Sequence, residues 1–306
     1  MDLQPLPKTA LHDKQLEALY SFSHFNPVQT QIFHTLYHTD HNALVGAPTG
    51  SGKTVAGELA IFRVMREHPG KKAVYIAPLK ALVRERIDDW KVRFGEKLGK
   101  TVVELTGDVT PDARAIERAD VIVTTPEKWD GISRSWQSRN YVRKVVLLVI
   151  DEIHLLGGDR GPVLEVIVSR TNYISAHTAH KVRVVGLSTA LSNAHDLANW
   201  LGISRAGLFN FKPSVRPVPL ELHVQGFNAA HATARLMHMS RSVFNAIKRH
   251  SPSKPTLVFV PSRKQTQVTA VDLYAHAVAE GLEKAFIGVA EEELERYASR
   301  IKDEHL

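Results

Sequence analysis

Ala47-Pro48-Thr49-Gly50-Ser51-Gly52-Lys53-Thr54 follows the apolar run Ala43–Gly46 and precedes a helical segment, Thr54–Glu67. Strand, glycine-rich turn and helix, in that order, form the setting in which a loop cradles phosphate. Glycines let successive backbone N–H groups turn inward on an anion, and the start of the next helix adds its positive end. In such a loop Lys53 reaches the β- and γ-phosphates, and the Thr54 hydroxyl holds Mg2+. One position departs from the G-x-x-x-x-G-K-[ST] pattern: Ala47 stands where the first glycine belongs. The bland alternative is a glycine-rich turn with an exposed lysine, and the flanking pattern speaks against it.

Outward from this loop, short apolar runs alternate with longer helical segments to about residue 210. The runs are Ala43–Gly46, Ala73–Ala77, Val102–Leu105, Val121–Thr124, Val145–Ile150 and Val182–Leu187. They are apolar or nearly so throughout rather than alternating, as strands covered on both faces are. Helices are expected between most of them, for example over Leu79–Phe94. The alternation predicts an α/β fold with a mostly parallel sheet and right-handed crossovers. The run Val145–Ile150 leads straight into Asp151-Glu152-Ile153-His154. Downstream of a phosphate loop, two carboxylates at a strand end suit metal and water chemistry. Asp151 binds Mg2+, usually through water, and Glu152 positions and deprotonates the attacking water. The competing reading is a solvated acidic helix cap.

The chain has 306 residues, 43% hydrophobic and 23% charged, which suits a globular protein of two domains. No apolar run reaches the roughly 18 residues of a membrane helix, so no membrane partner is expected. The first residues carry no basic flank before an apolar core, and no secretory leader is expected. There is no cysteine, which excludes disulfides, thiolate metal sites and thiol nucleophiles. Lys and Arg number 39 against 32 Asp and Glu, a net charge of +7. That balance favours polyanions as partners. Phe211–Pro219 holds three prolines and cannot be helical, so it is the expected linker. The expected division is an extension over 1–24, holding a helix from Leu11 to Phe22, and a first domain over 25–210. The linker over 211–219 and a partial second α/β domain over 220–306 complete it. That second domain is expected to open with a strand at Leu220–Gln225. A helix near Thr233–His250, a strand at Thr256–Val260 and a helix from Arg263 to about Glu280 follow, then an acidic tail over Glu291–Leu306.

These residues resemble the superfamily 2 DExH helicases, and Arg84-Glu85-Arg86-Ile87-Asp88-Asp89-Trp90, Ser133-Arg134-Ser135-Trp136 and Gly161-Pro162-Val163-Leu164-Glu165 resemble the large two-cassette helicases among them. Gly50-Ser51-Gly52-Lys53-Thr54 and Asp151-Glu152-Ile153-His154 carry the likeness first. Phe25-Asn26-Pro27-Val28-Gln29 is similar to the adenine-reading Q element. Ala77-Pro78-Leu79-Lys80-Ala81-Leu82 resembles motif Ia; Thr106-Gly107-Asp108 and Thr125-Pro126-Glu127-Lys128-Trp129-Asp130 resemble Ib and Ic. Ser188-Thr189-Ala190 resembles motif III, and Phe259-Val260-Pro261-Ser262-Arg263 resembles motif IV. The resemblance implies a RecA-like P-loop domain followed by an incomplete second one. It implies ATP with Mg2+ and 3′-to-5′ movement along single-stranded or partly duplex RNA or DNA. It also implies a multiprotein complex in the nucleus or cytoplasm.

By that likeness Gln29 reads adenine, and Ala47, Pro48, Thr49, Gly50, Ser51, Gly52, Lys53 and Thr54 hold the phosphates. Asp151, Glu152, Lys53 and His154 act in hydrolysis, with Thr54 and Asp151 on Mg2+. Ser188, Thr189 and Ala190, with His154, couple nucleotide state to strand movement. Pro78, Lys80, Arg84, Thr106, Gly107, Thr125, Pro126 and Lys128 line the strand path. The family's Q-x-x-G-R-x-G-R element has no counterpart in the 306 residues. ATP binding with little autonomous turnover is therefore expected. His34 and His38, Trp129 and Trp136, and the Arg134, Arg139, Arg143 and Lys144 cluster admit blander readings. For them ordinary packing or a solvated face competes with metal, base or phosphate binding.

Overall fold

The computed structural model describes residues 4–178, 181–284 and 286–301. The last five positions of the expected acidic tail lie outside the described residues, as do the first three of the chain.

Seven strands form one sheet: β1 Ala43–Gly46, β2 Lys72–Ile76, β3 Val102–Leu105, β4 Val121–Thr124, β5 Val145–Ile150, β6 Arg183–Ser188 and β7 Leu208–Asn210. Their order is β3-β4-β2-β5-β6-β1-β7, and each neighbouring pair runs parallel. Parallel pairing demands crossovers, which the helices Lys53–Glu67, Lys80–Trp90, Ala113–Arg118, Pro126–Ser133 and Gly161–His177 help supply. The central strands are buried along their whole length, the physical reason their sequences are nearly continuous apolar runs. Alternate residues serve two cores, one on each face. Val45, Ala73, Tyr75, Leu147 and Val149 belong to one; Leu44, Val74, Ile76, Leu148 and Ile150 belong to the other.

Two cations lie buried in this sheet and are satisfied by helix ends. Arg183 donates to the carbonyls of Thr35, Leu36 and His41 at 2.9, 3.1 and 2.7 Å, at the end of the π-helical turn His34–His38. Burial pulls its pKa down to about 10. Lys72 Nζ donates to the carbonyls of Glu117 and Ala119, both at 2.6 Å, at the C-terminal end of the helix Ala113–Arg118. A cation at a helix C-terminus meets the free carbonyls and the negative end of the dipole.

The structure departs from the sequence expectations in several places. β7 was not expected, because three residues carry no readable period. The strand expected over Val182–Leu187 runs one residue later. The expected helix from Leu11 to Phe22 is instead a 3-10 turn, Lys8–Leu11, and one α-turn, Lys14–Glu17, capped by Asp13. Leu11, Leu16, Leu19 and Tyr20 are pinned in the first core, so burial and not helical period sets this segment's path.

The chain divides into two compact units, Met1–Leu220 and Glu221–Leu306. In the second, the helices Ala232–His250 and Arg263–Ala279 form as expected, and Glu291–Ala298 follows. Phe244 is fully buried there, edge-on to Phe286 at 5.7 Å. The strands expected at Leu220–Gln225 and Thr256–Val260 are not formed. Leu222, Val224, Leu257 and Phe259 are 77–90% exposed. A strand gains its stability from paired neighbours, and these segments have none among the described residues.

Candidate nucleotide site and nucleic-acid interface

The phosphate loop leaves β1 and enters the helix Lys53–Glu67, as the sequence predicts. Gly50 and Gly52 have φ of 82° and 83°, conformations in which a side chain is strained. Ala47 does not, since His12 and Glu152 are the only described non-glycine residues at positive φ. The first position of the motif therefore tolerates alanine in this backbone. Ala47 N–H donates to the Ser188 carbonyl at 3.0 Å, tying the loop to the end of β6. Thr49 and Gly50 are exposed, whereas Ser51 is fully buried.

Lys53 is buried, and its ammonium donates to the carbonyls of Ala47 at 2.8 Å and Pro48 at 3.2 Å. Burial lowers its pKa, and Glu152 and Asp151 act against that. The lysine therefore lies within electrostatic reach of both acidic residues. Thr54 is half-buried one residue on.

Asn26 and Gln29 latch the loop from the helix Pro27–Phe33. The Asn26 side chain accepts from Gln29 N–H at 2.9 Å, and Gln29 Oε1 accepts from Asn26 N–H at 3.0 Å, a reciprocal capping box. Asn26 Nδ2 donates to the Ser51 carbonyl at 2.9 Å, and Gln29 Nε2 to the Gly52 carbonyl at 3.3 Å. A Cβ at Gly52 would lie 2.3 Å from Gln29 Nε2, so a side chain there would push the Gln29 amide off the loop, besides the strain of its φ. The bonds to Asn26 and Gly52 use one N–H and one lone pair of the Gln29 amide, leaving one of each.

Asp151 and Glu152 leave the end of β5. Asp151 Oδ1 accepts from Glu152 N–H at 3.0 Å. Asp151 Oδ2 accepts from the Tyr75 hydroxyl at 2.7 Å. Tyr75, on β2, is fully buried, and burial raises its pKa well above the usual phenol value. The phenol thus stays a donor. Glu152 has φ 51°, the left-handed region, where a residue with a Cβ costs about 1–2 kcal/mol. Glu152 Oε2 lies 3.4 Å from His154 Nδ1, and His154 Nδ1 lies 3.4 Å from Ser188 Oγ. A chain of side chains thus links the carboxylate of β5 to the end of β6. Thr189 is half-buried and Ala190 exposed just beyond. Asn210, on β7, grips the main chain of the next residue, Leu191, at 3.1 and 2.7 Å.

The residues assigned to the strand path gather on the other half of the same sheet edge, at the ends of β2, β3 and β4. Lys80 Nζ pairs with Asp108 Oδ1 at 2.7 Å, and Arg84 with Asp108 Oδ2 at 3.2 Å. Lys80 holds the Asp108 carboxyl below the ordinary range. Thr106 is buried and its hydroxyl donates to Glu104 at 2.9 Å; Gly107 faces the end of Lys80. Lys128 Nζ donates to the Thr110 hydroxyl at 2.7 Å, joining the segments after β3 and β4. Thr125 and Pro126 are buried at the start of the helix Pro126–Ser133. Arg160, beyond the acidic strand end, donates to the Pro78 carbonyl and pairs with Glu127 at 3.3 Å.

Three residues that matter here escaped the sequence reading. Tyr75 carried a faint signal, a hydroxyl in a strand buried on both faces. Asn26 stands inside the adenine-reading element, where only Gln29 carries an expected role. Arg160 carried none, because only the fold brings it to Pro78. Of the features with competing readings, Trp129 is buried in the second core and Trp136 packs against it. Arg134 and Lys144 are paired with Asp130 and Glu117. His38 rests edge-on against Phe33 and Tyr37.

The site suits a nucleoside triphosphate with Mg2+. Its glycines make a cradle for phosphate, and its buried Ser51 Oγ has no hydrogen-bond partner among the described residues. Thr54 and Asp151 bring the oxygen donors that Mg2+ prefers.

A family model described as DEAD/DEAH box helicase matches residues 26–197. The chain is 66% identical over 306 residues to activating signal cointegrator 1 complex subunit 3 of Homo sapiens. It is 58% identical to the DExH-box ATP-dependent RNA helicase DExH14 of Arabidopsis thaliana. Both matches cover all of this chain but 14% of the relative, so the chain spans a small part of those proteins. Among solved structures, the DUF1998 helicase MrfA bound to DNA and AMPPNP aligns with a TM-score of 0.69 and 17% identity. That match covers 97% of this chain and 43% of the other. Mss116p bound to ssRNA and AMP-PNP aligns at 0.65 with 20% identity, covering 90% and 59%. At these identities the structural likeness speaks for the fold.

Proposed function

From the premise that this chain belongs to the DEAD/DEAH box helicase family, we propose that its first unit is the ATP-binding motor lobe of a nucleic-acid helicase. The observation that carries this reading is the division of one sheet edge. β1, β6 and β5 end in the phosphate loop, Ser188 and Asp151-Glu152, while β2, β3 and β4 lead into Lys80 and Arg84, Thr106 and Gly107, and Thr125 and Lys128, the residues assigned to the strand path. Tyr75 and Arg160 join the two halves through hydrogen bonds to Asp151 and Pro78. A change at the γ-phosphate therefore has a short covalent and hydrogen-bonded route to the strand.

In this reading Gln29 reads adenine, and Lys53 and the loop N–H groups hold the phosphates. Glu152 orients the attacking water and takes its proton, in a backbone conformation fixed by β5 and the Asp151 carboxylate. Mg2+ would be held by Thr54 and, through water, by Asp151; when bound it supplies charge neutralisation at the phosphate oxygens. His154 and Ser188 pass the state of the site along β6. Lys80, Arg84, Thr106, Gly107, Thr125 and Lys128 grip phosphates and sugars, contacts that carry little sequence information. Movement is 3′ to 5′ along single-stranded RNA or DNA, within a multiprotein complex of the nucleus or cytoplasm. No Q-x-x-G-R-x-G-R element occurs in the 306 residues, and an arginine finger contributes about 10³–10⁵ in rate. Turnover by this chain alone is accordingly weak.

The test is nucleotide binding and steady-state ATP hydrolysis, with and without single-stranded RNA and DNA, beside Lys53→Ala. ADP binding abolished by the substitution supports the motor lobe. Nucleotide binding with no strand response would make the chain a nucleotide-binding regulatory or scaffold cassette instead. Wild-type ADP affinity in Lys53→Ala would sink the reading.

A further inference from the structure

Two buried side-chain polar atoms lack a hydrogen-bond partner among the described residues, and both lie at the phosphate loop: Ser51 Oγ and Arg216 Nε. A buried unsatisfied donor costs about 1–3 kcal/mol and calls for an explanation. Ser51 belongs to the loop, whereas Arg216 reaches it from the proline-rich segment Phe211–Pro219, the expected linker. That segment is anchored. Phe211 N–H donates to the Gly46 carbonyl at 2.7 Å, extending the hydrogen bonding past β7, and Phe211 is buried in the first core. Val215 packs against the same core, and the 3-10 turn Pro213–Val215 closes with Arg216 N–H on the Pro213 carbonyl at 3.2 Å. The backbone is thereby fixed next to the loop. A Cβ built on Gly50 would lie 3.8 Å from Arg216 Nε and 3.9 Å from its Nη2. Arg216 forms no salt bridge among the described residues. A guanidinium held beside a loop built for phosphate, with one donor sealed and unpaired, matches the one chemistry this loop serves.

We propose that Arg216 is a nucleotide-binding residue, a second cationic ligand to the phosphates of bound nucleotide, delivered to the loop by the linker. It deepens the nucleotide-site reading above and rests on it. Arginine suits the role because its planar, permanently charged guanidinium keeps further donors on its Nη atoms while Nε is sealed beside the loop, which lysine's single ammonium cannot match. The linker then becomes an element that nucleotide locks in place.

The experiment is equilibrium binding of a fluorescent ADP and of ATPγS to the full chain. Wild type is compared with Arg216→Gln, Arg216→Lys and Lys53→Ala, and melting temperatures are recorded for all four. The expected result is a loss of about tenfold or more for both nucleotides in Arg216→Gln. A smaller loss in Arg216→Lys, a weaker salt dependence of binding and unchanged melting without nucleotide should accompany it. Wild-type affinity in Arg216→Gln would overturn the proposal. So would equal losses in both Arg216 variants accompanied by a lowered melting temperature, since Arg216 would then be packing and nothing more. Lys53→Ala separates the levels: if it too binds like wild type, the nucleotide-site reading itself fails.

Discussion

Tyr75 lends its hydroxyl to Asp151 across the boundary between β2 and β5, at 2.7 Å and out of reach of water. A residue that orients a metal-binding carboxylate typically changes metal affinity by about 10–100-fold when removed. Tyr75→Phe should leave ADP affinity without Mg2+ unchanged and raise the Mg2+ concentration needed for tight ADP binding by about tenfold. Titrating Mg2+ against fluorescent ADP checks this; an unshifted midpoint would show that Tyr75 only fills space. Asp108 acts in the opposite sense at the strand path. Its carboxylate occupies both Lys80 and Arg84, the cations proposed to grip phosphate. Asp108→Asn should tighten binding of single-stranded RNA several-fold at low salt, with the gain shrinking as salt rises. Weaker binding in that variant would mean Asp108 serves to place the two cations rather than compete for them.

Among the elements, the helix Lys53–Glu67 carries the loop's lysine at its start and Glu58 one turn further on. Glu58 is buried and accepts from the Tyr20 hydroxyl at 2.7 Å, Trp90 Nε1 at 3.0 Å and Arg93 at 2.7 and 3.0 Å. This knot joins three parts of the chain: the N-terminal segment, the phosphate-loop helix and the helix Lys80–Trp90 with its extension. Removing Glu58 leaves the buried Tyr20 and Trp90 donors without an acceptor, at about 1–3 kcal/mol each, while Arg93 keeps its ion pair with Asp89 at 2.8 Å. Glu58→Ala should lower unfolding free energy by the sum of the two in urea titration. Replacing Glu58 and Arg93 together with apolar residues of similar volume should recover little of the loss, since both donors stay unpaired. A double variant nearly as stable as wild type would show that the ion pair, not the Tyr20 and Trp90 bonds, dominates. This knot was invisible in the sequence. Helical period places Glu58 on a helix, but nothing local says that a glutamate there will meet donors from 32 to 38 residues away.

For the whole molecule, both hydrophobic cores draw all their buried members from residues 11–211. Residues 1–220 should therefore fold alone, melt in one cooperative transition and bind ADP with the affinity of the full chain. A broad, non-cooperative melt or lost ADP binding would show that the first unit depends on the second. The sequence determined the strands of the sheet's interior, the phosphate loop and the acidic strand end. Each is specified within a few neighbouring residues, by continuous apolar runs, by glycine's freedom at positive φ and by charge at a strand terminus. The sequence's prolines named Phe211–Pro219 as a linker, whereas the structure buries Phe211 in the first core and divides the chain after Leu220. Only the tertiary structure decided that Ala47 sits at a backbone conformation open to alanine and that Tyr75 reaches Asp151. It also decided that Asp108 neutralises Lys80 and Arg84, that β7 pairs beside β1 and that Arg216 stands against Gly50. The strands expected at Leu220–Gln225 and Thr256–Val260 belong to the same class: a strand is made by its neighbours, and sequence pattern alone names a candidate for pairing. Those facts depend on which strand ends lie side by side, a property of sheet order that no local stretch of sequence encodes.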